Sequence, residues 1–158
     1  MSAMPKIDIG AAPLRTGSGY PPVHAALVAG RSARRLAEAA GLTQFGANLV
    51  TLAPGAAASQ RHWHENEDEF VWVVSGALVL VEDDGETPMR PGDAAAWKAG
   101  VAIGHHLVNR SDAEASFLVI GTRAPADVAH YTDPGVDMIA RVENGRTAFS
   151  RRDGRPFE

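Results

Sequence analysis

The feature that most constrains the fold of this chain is a series of short apolar runs within residues 46–122, each ended by turn residues. The runs recur about every eight to twelve residues, which is typical of an all-β sandwich or barrel. Asp84-Gly85 fits a tight hairpin, and Pro91-Gly92 supplies the backbone angles of a type II turn. The candidate strands are ANLVTL, QRHWH, EFVWVVS, ALVLVED, DAAAWK, GHHLVN and ASFLVIGT. The sequence therefore predicts an all-β fold for this region.

The segments at either end lack this pattern. Residues 1–29 are rich in Pro and Gly, so we expect an extended arm laid over the domain. The segment RSARRLAEAAG, residues 31–41, has good helix formers between Ser32, a possible N-cap, and Gly41 at the C′ position, which predicts one short helix. We therefore divide the chain into an arm with a short helix at 1–45, a barrel at 46–122 and a C-terminal extension at 123–158 packed on the barrel.

Composition limits the classes of partner and site. The 158 residues suit one domain, and 15 Lys and Arg against 19 Asp and Glu give no basic surface for nucleic acid or an anionic membrane. The chain has no cysteine, so a metal site must use His and carboxylates. The first residues show no signal sequence, and the longest apolar stretch, residues 70–81, is too short to cross a bilayer. We expect a cytoplasmic protein with no membrane partner.

The sequence gives little support for DNA binding or for nucleotide-binding and serine-hydrolase functions. The segment RRLAEAAGLTQ is similar to the first helix and turn of a helix-turn-helix, but the following FGANLVTL is typical of a strand. Without a recognition helix we expect no nucleic-acid partner. No Walker A, complete GxGxxG or GxSxG sequence is present, so nucleotide-binding and serine-hydrolase functions lack support.

The candidate strand at residues 69–75 is apolar on both faces. Val71 and Val73 share one side, and Phe70, Trp72 and Val74 share the other. Because both faces need cover, a second sheet, the arm or a partner subunit must lie against the outer one. We expect a homodimer.

The stretch RHWHENEDEF, residues 61–70, concentrates metal-binding side chains. Side chains on a strand alternate, so His62 and His64 project to the same side. Glu69 follows the acidic turn and can lie beside them on the neighbouring strand, and a barrel can bring the later GHHLVN segment to the pair across its interior. Each piece alone is also typical of surface residues or a solvated turn. From spacing alone, a metal site and a structural role both remain open.

The stretch resembles the first conserved motif of the cupin superfamily through Gly55, His62, His64, Glu69 and Gly76. The second cupin motif is matched less closely, by Gly92, Lys98, Gly100, His105 and Asn109. Lys98 stands where the motif has a proline, and two extra residues separate Gly100 from the histidine. The spacing to Asn109 selects His105 over His106, and His106 is the alternative if the longer loop shifts the strand by one residue.

The resemblance implies a double-stranded β-helix, also called a jelly-roll barrel, that binds a divalent metal through His62, His64, Glu69 and His105. A mixed nitrogen and oxygen site of this kind suits Zn, Fe, Mn or Ni. The chain is similar to small bacterial cupins described as sugar-phosphate isomerases, which implies a small-molecule ligand rich in oxygen and a base at Glu69 or His106. A non-haem iron dioxygenase and a non-enzymatic metal-dependent sensor or binding protein are the alternatives.

Three further polar residues are candidates for substrate binding. Lys98 lies in the strand that enters the second motif, where it could meet an anionic substrate or be an ordinary loop lysine. Gln60 shares the parity of His62 and His64, and Asn48 lies on a neighbouring candidate strand. Either could bind substrate, orient a ligand imidazole or serve only the structure.

Overall fold

The computed structural model describes residues 5–158, and these form two antiparallel sheets with one four-residue α-helix, α1 (Leu36–Ala39). Short 3-10 turns occupy Ile9–Ala11, Pro22–His24 and Ala26–Val28. Within this range no helix has both the length and the apolar character needed to cross a bilayer. The strands are β1 Leu14–Thr16, β2 Arg31–Arg35, β3 Phe45–Leu52, β4 His62–His64, β5 Glu69–Ser75, β6 Leu78–Glu82, β7 Gly85–Met89, β8 Ala94–Trp97, β9 His105–Val108, β10 Ala115–Thr122, β11 Ala126–Tyr131, β12 Ile139–Glu143 and β13 Arg146–Ser150.

The two sheets face each other across a shared apolar core. One has the strand order β1-β2-β3-β10-β5-β8, and the other has the order β13-β12-β11-β4-β9-β6-β7. Alternate residues of the first sheet, such as Val50 and Val73, are fully buried against Leu78 and Leu107 of the second. Because the side chains of a strand alternate between its two faces, each sheet buries one face in this core. The predicted all-β jelly-roll fold is confirmed.

The ends of the chain extend these sheets. Strands β1 and β2 continue the first sheet beyond β3, and β11, β12 and β13 continue the second beyond β4. The C-terminal part has its own apolar cluster around Met138 and Tyr131, which Tyr20 of the arm joins. The sheets therefore run through all three segments into which the sequence was divided.

The helix predicted for residues 31–41 is wrong in its first half. Arg31 to Arg35 form β2, with Ser32 opposite Thr51 of β3, and only residues 36–39 are helical. Ser32 is consequently not an N-cap, although Gly41 has the expected left-handed backbone, with a φ of 69°. Pairing with β3 satisfies backbone groups and buries Ala33, and this tertiary gain outweighs helix propensity.

The turn predictions hold with one shift of register. Asp93 N donates to Arg90 O, and Gly92 has a φ of 92°, as a type II turn at Pro91-Gly92 requires. The hairpin near Gly85 forms, but Gly85 pairs with Glu82, so the two turn residues are Asp83 and Asp84.

Three large apolar side chains lie exposed on the outer face of β5. Phe70, Trp72 and Val74 are 40%, 43% and 42% exposed, whereas Val71 and Val73 on the inner face are buried. The strand is therefore apolar on both faces, as the sequence predicted. Its outer face is not covered by any other part of the described chain. A second copy of the chain as its cover stays a prediction.

Candidate metal site

The residues that resemble metal ligands converge from three strands at one end of the space between the sheets. His62 and His64 lie on β4 and point to the same side, as strand alternation requires. His105 on β9 is the register partner of His62 in the same sheet. Glu69 reaches the group from β5 in the opposite sheet. The expected arrangement was the reverse, with the carboxylate beside the pair and the later histidine across the interior, because hairpin proximity suggested that β4 and β5 would pair.

The donor atoms lie at distances suited to one shared ion. The Nε2 atoms of His62 and His64 are 3.1 Å apart, and Nε2 of His105 is 2.6 Å from Oε1 of Glu69. The other carboxylate oxygen of Glu69 is 3.9 Å from Nε2 of His64. Nitrogen ligands about 2.1 Å from a metal and at right angles to each other would be about 3.0 Å apart. The His62 and His64 pair therefore fits two adjacent positions around one cation.

Hydrogen bonds on the far side of each ring favour the tautomer that a metal needs. Nδ1 of His62 is 2.7 Å from the carbonyl oxygen of Gln60, Nδ1 of His64 is 2.7 Å from Oδ2 of Asp127, and Nδ1 of His105 is 3.3 Å from the carbonyl oxygen of Ile103. These partners accept hydrogen bonds, so Nδ1 of His62 and of His64 carries the proton and their Nε2 atoms present lone pairs, whereas Nε2 of His105 is hydrogen-bonded to Glu69, a contact that a bound cation would replace. Three imidazoles and a carboxylate aimed at one point form a donor set that fits a divalent cation.

Asp127 and Glu67 form a second layer around His64. Besides holding Nδ1 of His64, Asp127 accepts from the backbone N–H of Asn66 through Oδ1 at 2.9 Å, and it is only 2% exposed. Oε1 of Glu67 lies 3.7 Å from the same Nδ1, while its Oε2 accepts from Ala124 N at 3.1 Å. Asp127 therefore fixes the orientation of the His64 ring, and Glu67 adds negative charge near it.

The electrostatics of the four candidate ligands follow from burial and from one another. Burial lowers the pKa of His62 to about 4, and the neighbouring His64 acts in the same direction. Burial also acts to lower the pKa of His64, but the hydrogen bond to Asp127 and the charge of Glu69 outweigh it, so that pKa is raised. For Glu69, burial acts to raise the pKa, but the hydrogen bond to His105 and the nearby histidines lower it to about 2. The cluster thus keeps His62 neutral and Glu69 ionised near neutral pH.

The donor atoms open into a cavity of about 340 Å³ between the two sheets, within the size range of small-molecule sites. Its walls are mostly apolar, with Val71, Leu107 and Phe117 among them. Trp97 stacks on the His105 ring with centroids 3.7 Å apart and donates from Nε1 to Glu82 at 3.3 Å. This stack fixes the His105 ring. The cavity therefore offers a rigid polar end and an apolar body.

The two histidines of the GHHLVN segment occupy different environments. His105 is 3% exposed and joins His62 and Glu69, with donor atoms of the three residues all within 4.8 Å of one another. His106 projects to the other side of β9 and its Nδ1 is 2.7 Å from the carbonyl oxygen of Ser59, although part of the residue lines the cavity. The structure therefore groups His105 with the donors and leaves His106 at the wall.

The three predicted substrate-binding residues are placed in three different ways. Asn48 lines the cavity, and its Oδ1 is buried without a hydrogen-bond partner among residues 5–158. The side chain of Gln60 instead donates to the carbonyl oxygen of His24 at 2.9 Å, so it ties the arm to the barrel, and only its backbone oxygen serves the site. Lys98 is exposed and borders a second depression, which shares Glu69 and Trp97 with the metal cavity, but Lys98 itself does not line that cavity.

The sequence reasoning missed Asp127, Glu67, Trp97 and Arg31 as parts of this region. Asp127 belongs to the C-terminal extension, and β11 brings it to His64 because Ala129 pairs with His64. No local motif marks an isolated aspartate as the partner of a histidine 63 positions earlier. Glu67 is one of several acids in a turn, and only the fold distinguishes it.

Comparisons with known proteins identify the family to which this fold belongs. The sequence model of the cupin domain matches residues 48–121. A crystal structure described as a sugar phosphate isomerase of the cupin superfamily, from Silicibacter pomeroyi, is 52% identical, with a TM-score of 0.92 and coverage of 98% of this chain and 97% of that one. Comparison with curated protein sequences found no significant match.

More distant structures extend the likeness of fold. A candidate sugar phosphate isomerase from Acidithiobacillus ferrooxidans is 28% identical, with a TM-score of 0.71 and coverage of 81% of this chain and 80% of that one. A polyketide cyclase from Streptomyces resistomycificus shares the fold at 19% identity, with a TM-score of 0.58 and coverage of 76% and 80%. With its two-sheet barrel, its histidine and glutamate cluster and a near full-length relative of the same architecture, the chain belongs to the cupin superfamily.

Proposed function

We propose that this protein is a metal-dependent enzyme that interconverts the aldose and ketose forms of a small sugar phosphate. The observation that carries the proposal is the convergence of His62, His64, His105 and Glu69 at the polar end of a cavity large enough for such a ligand. The likeness to the Silicibacter pomeroyi protein, described as a sugar phosphate isomerase, supports the substrate class.

In this proposal the four donors hold a divalent cation. The Nδ1 partners of the three rings, Gln60 O, Asp127 and Ile103 O, keep the lone pairs aimed inward. Glu69 supplies the one carboxylate, and its low pKa keeps it charged. A bound cation would polarise the substrate carbonyl and make an adjacent hydroxyl more acidic. The apolar walls around Phe117 and Val71 exclude water from the reacting carbons.

Aldose–ketose conversion also needs a group that moves a proton between neighbouring carbons. Glu69, one of the two bases expected from the sequence, is committed to the donor cluster and hydrogen-bonded to His105. Among the cavity-lining residues outside the four donors, Glu67 and His106 have side chains that can take up and release a proton. We therefore propose Glu67 or His106 as the base, with Nε2 as the reactive atom of His106 because its Nδ1 is engaged by Ser59 O.

The decisive experiment measures aldose–ketose conversion on a panel of sugar phosphates, before and after chelation and after addition of single divalent metals. Activity should disappear on chelation and return with one or more metals. The variant carrying His62→Ala and His64→Ala should be inactive and bind less metal. His130→Gln is the matched control, because His130 lies outside the cavity and bonds to Glu65. Glu67→Gln and His106→Gln should identify the base through loss of turnover when each variant is saturated with metal, because the charge of Glu67 also acts on the donor His64.

Other outcomes would contradict the proposal in distinguishable ways. Full isomerase activity in the double histidine variant would remove the metal from the chemistry. Substrate-dependent oxygen uptake by the iron form, without isomerisation, would instead indicate a dioxygenase. Saturable binding of a sugar phosphate with no turnover under any metal would indicate a binding or sensor protein.

A further inference from the structure

Besides the donor Glu69, two polar side chains interrupt the apolar inner face of the first sheet. Along β3, the inward positions that include Asn48 continue with Val50 and Leu52, both 0% exposed. Along β2, Arg31 shares its side of the strand with Ala33, which belongs to the central core cluster. Both residues line the metal cavity. A polar group placed in such a wall needs a partner.

Neither side chain finds that partner within residues 5–158. No hydrogen bond or ion pair of the Arg31 guanidinium is formed there, and Oδ1 of Asn48 is buried without a donor. The charged and titratable groups that act on Arg31 are Tyr20 and Arg15, and burial together with Arg15 lowers the pKa of Arg31. Within the described part of the chain no carboxylate is among the groups that act on Arg31, so none of these residues neutralises its charge.

The other arginine in the cavity wall is different. Arg123 donates to the carbonyl oxygen of Leu42 at 3.0 Å and to Glu38 at 2.5 Å. Its charge is therefore already matched. Among the described cavity-lining residues, Arg31 is the cation free to bind an anionic ligand.

We infer that Arg31 binds the phosphate group of the ligand and that Asn48 accepts a hydrogen bond from one of its hydroxyls. This inference rests on the proposed function for the identity of the ligand and adds the residues that would select it. A guanidinium offers several N–H donors in a fixed plane that match phosphate oxygens, and hydrogen bonds between charged groups are stronger than neutral ones. The two residues lie on adjacent strands, with Arg31 opposite Leu52, four positions along β3 from Asn48. A ligand with a phosphate at one end and hydroxyls along its length fits this spacing.

The test measures binding, so that it does not depend on turnover. Inorganic phosphate, ribose 5-phosphate and ribose are titrated by calorimetry into the metal-loaded wild type and into Arg31→Gln, Arg31→Lys and Asn48→Ala. Arg90→Gln is the matched control, because Arg90 is an exposed arginine outside the cavity and is not among the charged groups that act on Arg31. Thermal unfolding of each variant checks that it is folded.

Arg31→Gln should weaken binding of both phosphate compounds by roughly tenfold or more, since it removes a charge-assisted contact. It should leave ribose unaffected, and Arg31→Lys should retain part of the affinity because it keeps the charge. Asn48→Ala should weaken ribose 5-phosphate but not inorganic phosphate. If Arg31→Gln binds phosphate as tightly as the wild type does, or if the wild type binds none, the inference is overturned.

A second arm separates this inference from the proposed function. In the His62→Ala, His64→Ala protein, phosphate binding that still depends on Arg31 would show that the anion site is independent of the metal. The inference would then stand even if no isomerase activity were found. Conversely, isomerisation of a sugar phosphate with an unchanged KM in Arg31→Gln would refute the anion site and leave the proposed function intact.

Discussion

Replacing Asp127 by asparagine should weaken metal binding although Asp127 is not one of the four donors. The aspartate accepts two hydrogen bonds, from Nδ1 of His64 at 2.7 Å and from Asn66 N at 2.9 Å. An asparagine has the same shape but only one acceptor oxygen. If that oxygen faces His64, the amide NH₂ opposes the N–H of Asn66. If it faces Asn66, the NH₂ opposes Nδ1 of His64 and favours the tautomer with a proton on Nε2, where a metal would bind.

The magnitude follows from the type of contact that is lost. Changing the partner of a metal-binding histidine typically costs 10- to 100-fold in metal affinity, which is about 1.4 to 2.7 kcal/mol. Because Asp127 is 2% exposed and its contact to His64 is short, we expect a value near the upper end of this range. The same change leaves a buried polar group unmatched, so the metal-free variant should also unfold at a lower temperature.

The assay is competition for metal against a fluorescent chelator at fixed pH and ionic strength. Asp84→Asn is the matched control, because Asp84 is an exposed turn residue and its replacement changes the net charge by the same amount. If Asp127→Asn is folded and binds metal as tightly as the wild type and the control do, the assigned role of Asp127 in orienting His64 is wrong.

Three further predictions concern stability and assembly. Burial lowers the pKa of His62 from 6.5 to about 4, so at this group the unfolded chain binds more protons between these pH values than the folded chain does. The contribution of His62 should therefore reduce the free energy of unfolding of the metal-free protein by about 3 kcal/mol as the pH drops through this range, while the raised pKa of His64 acts in the opposite direction. Urea titrations at several pH values should show a smaller fall in His62→Gln, and an identical fall would contradict this reasoning. Asn109 is fully buried and donates to the carbonyl oxygens of Leu52 and Ala113. Asn109→Ala should therefore lower the free energy of unfolding by roughly 2 to 4 kcal/mol in urea titrations, and a loss below about 0.5 kcal/mol would contradict the role of these bonds. We propose that two copies of the chain pair through the exposed outer face of β5. Light scattering should give twice the chain mass for the wild type and one chain mass for Trp72→Glu. A monomeric wild type at micromolar concentration would contradict a dimer.

The parts of the fold that the sequence predicted depend on short-range chemistry. Short apolar runs ended by turn residues predicted the strands between residues 46 and 122, and Pro91-Gly92 predicted a turn whose backbone angles few other residues adopt. The alternation of side chains between the two faces of a strand also predicted that His62 and His64 lie on the same side. The helix prediction failed at residues 31–35. Helix-forming side chains lie in a strand there, because the edge of β3 offers backbone pairing.

The candidate site shows the same division. The motif spacing favoured His105 over His106, and the structure groups His105 with the other donors. The sheet that contains Glu69, however, depends on which strands pair. The short turn between β4 and β5 suggested that they pair in one sheet, whereas they lie in opposite sheets. The contact of Asp127 with His64 and the proposed role of Arg31 had no local signal in the sequence, since both depend on which residues the fold places next to one another.

By itself, the sequence determined the strand-rich class, the main turns and the donor types available to a cysteine-free metal site. Those properties depend on the side chains and backbone dihedral preferences of residues that are close together in the chain. Only the tertiary structure decided which sheet supplies each donor, which buried acid orients His64 and which arginine is left without a counter-charge. Such choices arise when two sheets bury their apolar faces against each other, because the free energy of that burial is shared by residues far apart in sequence.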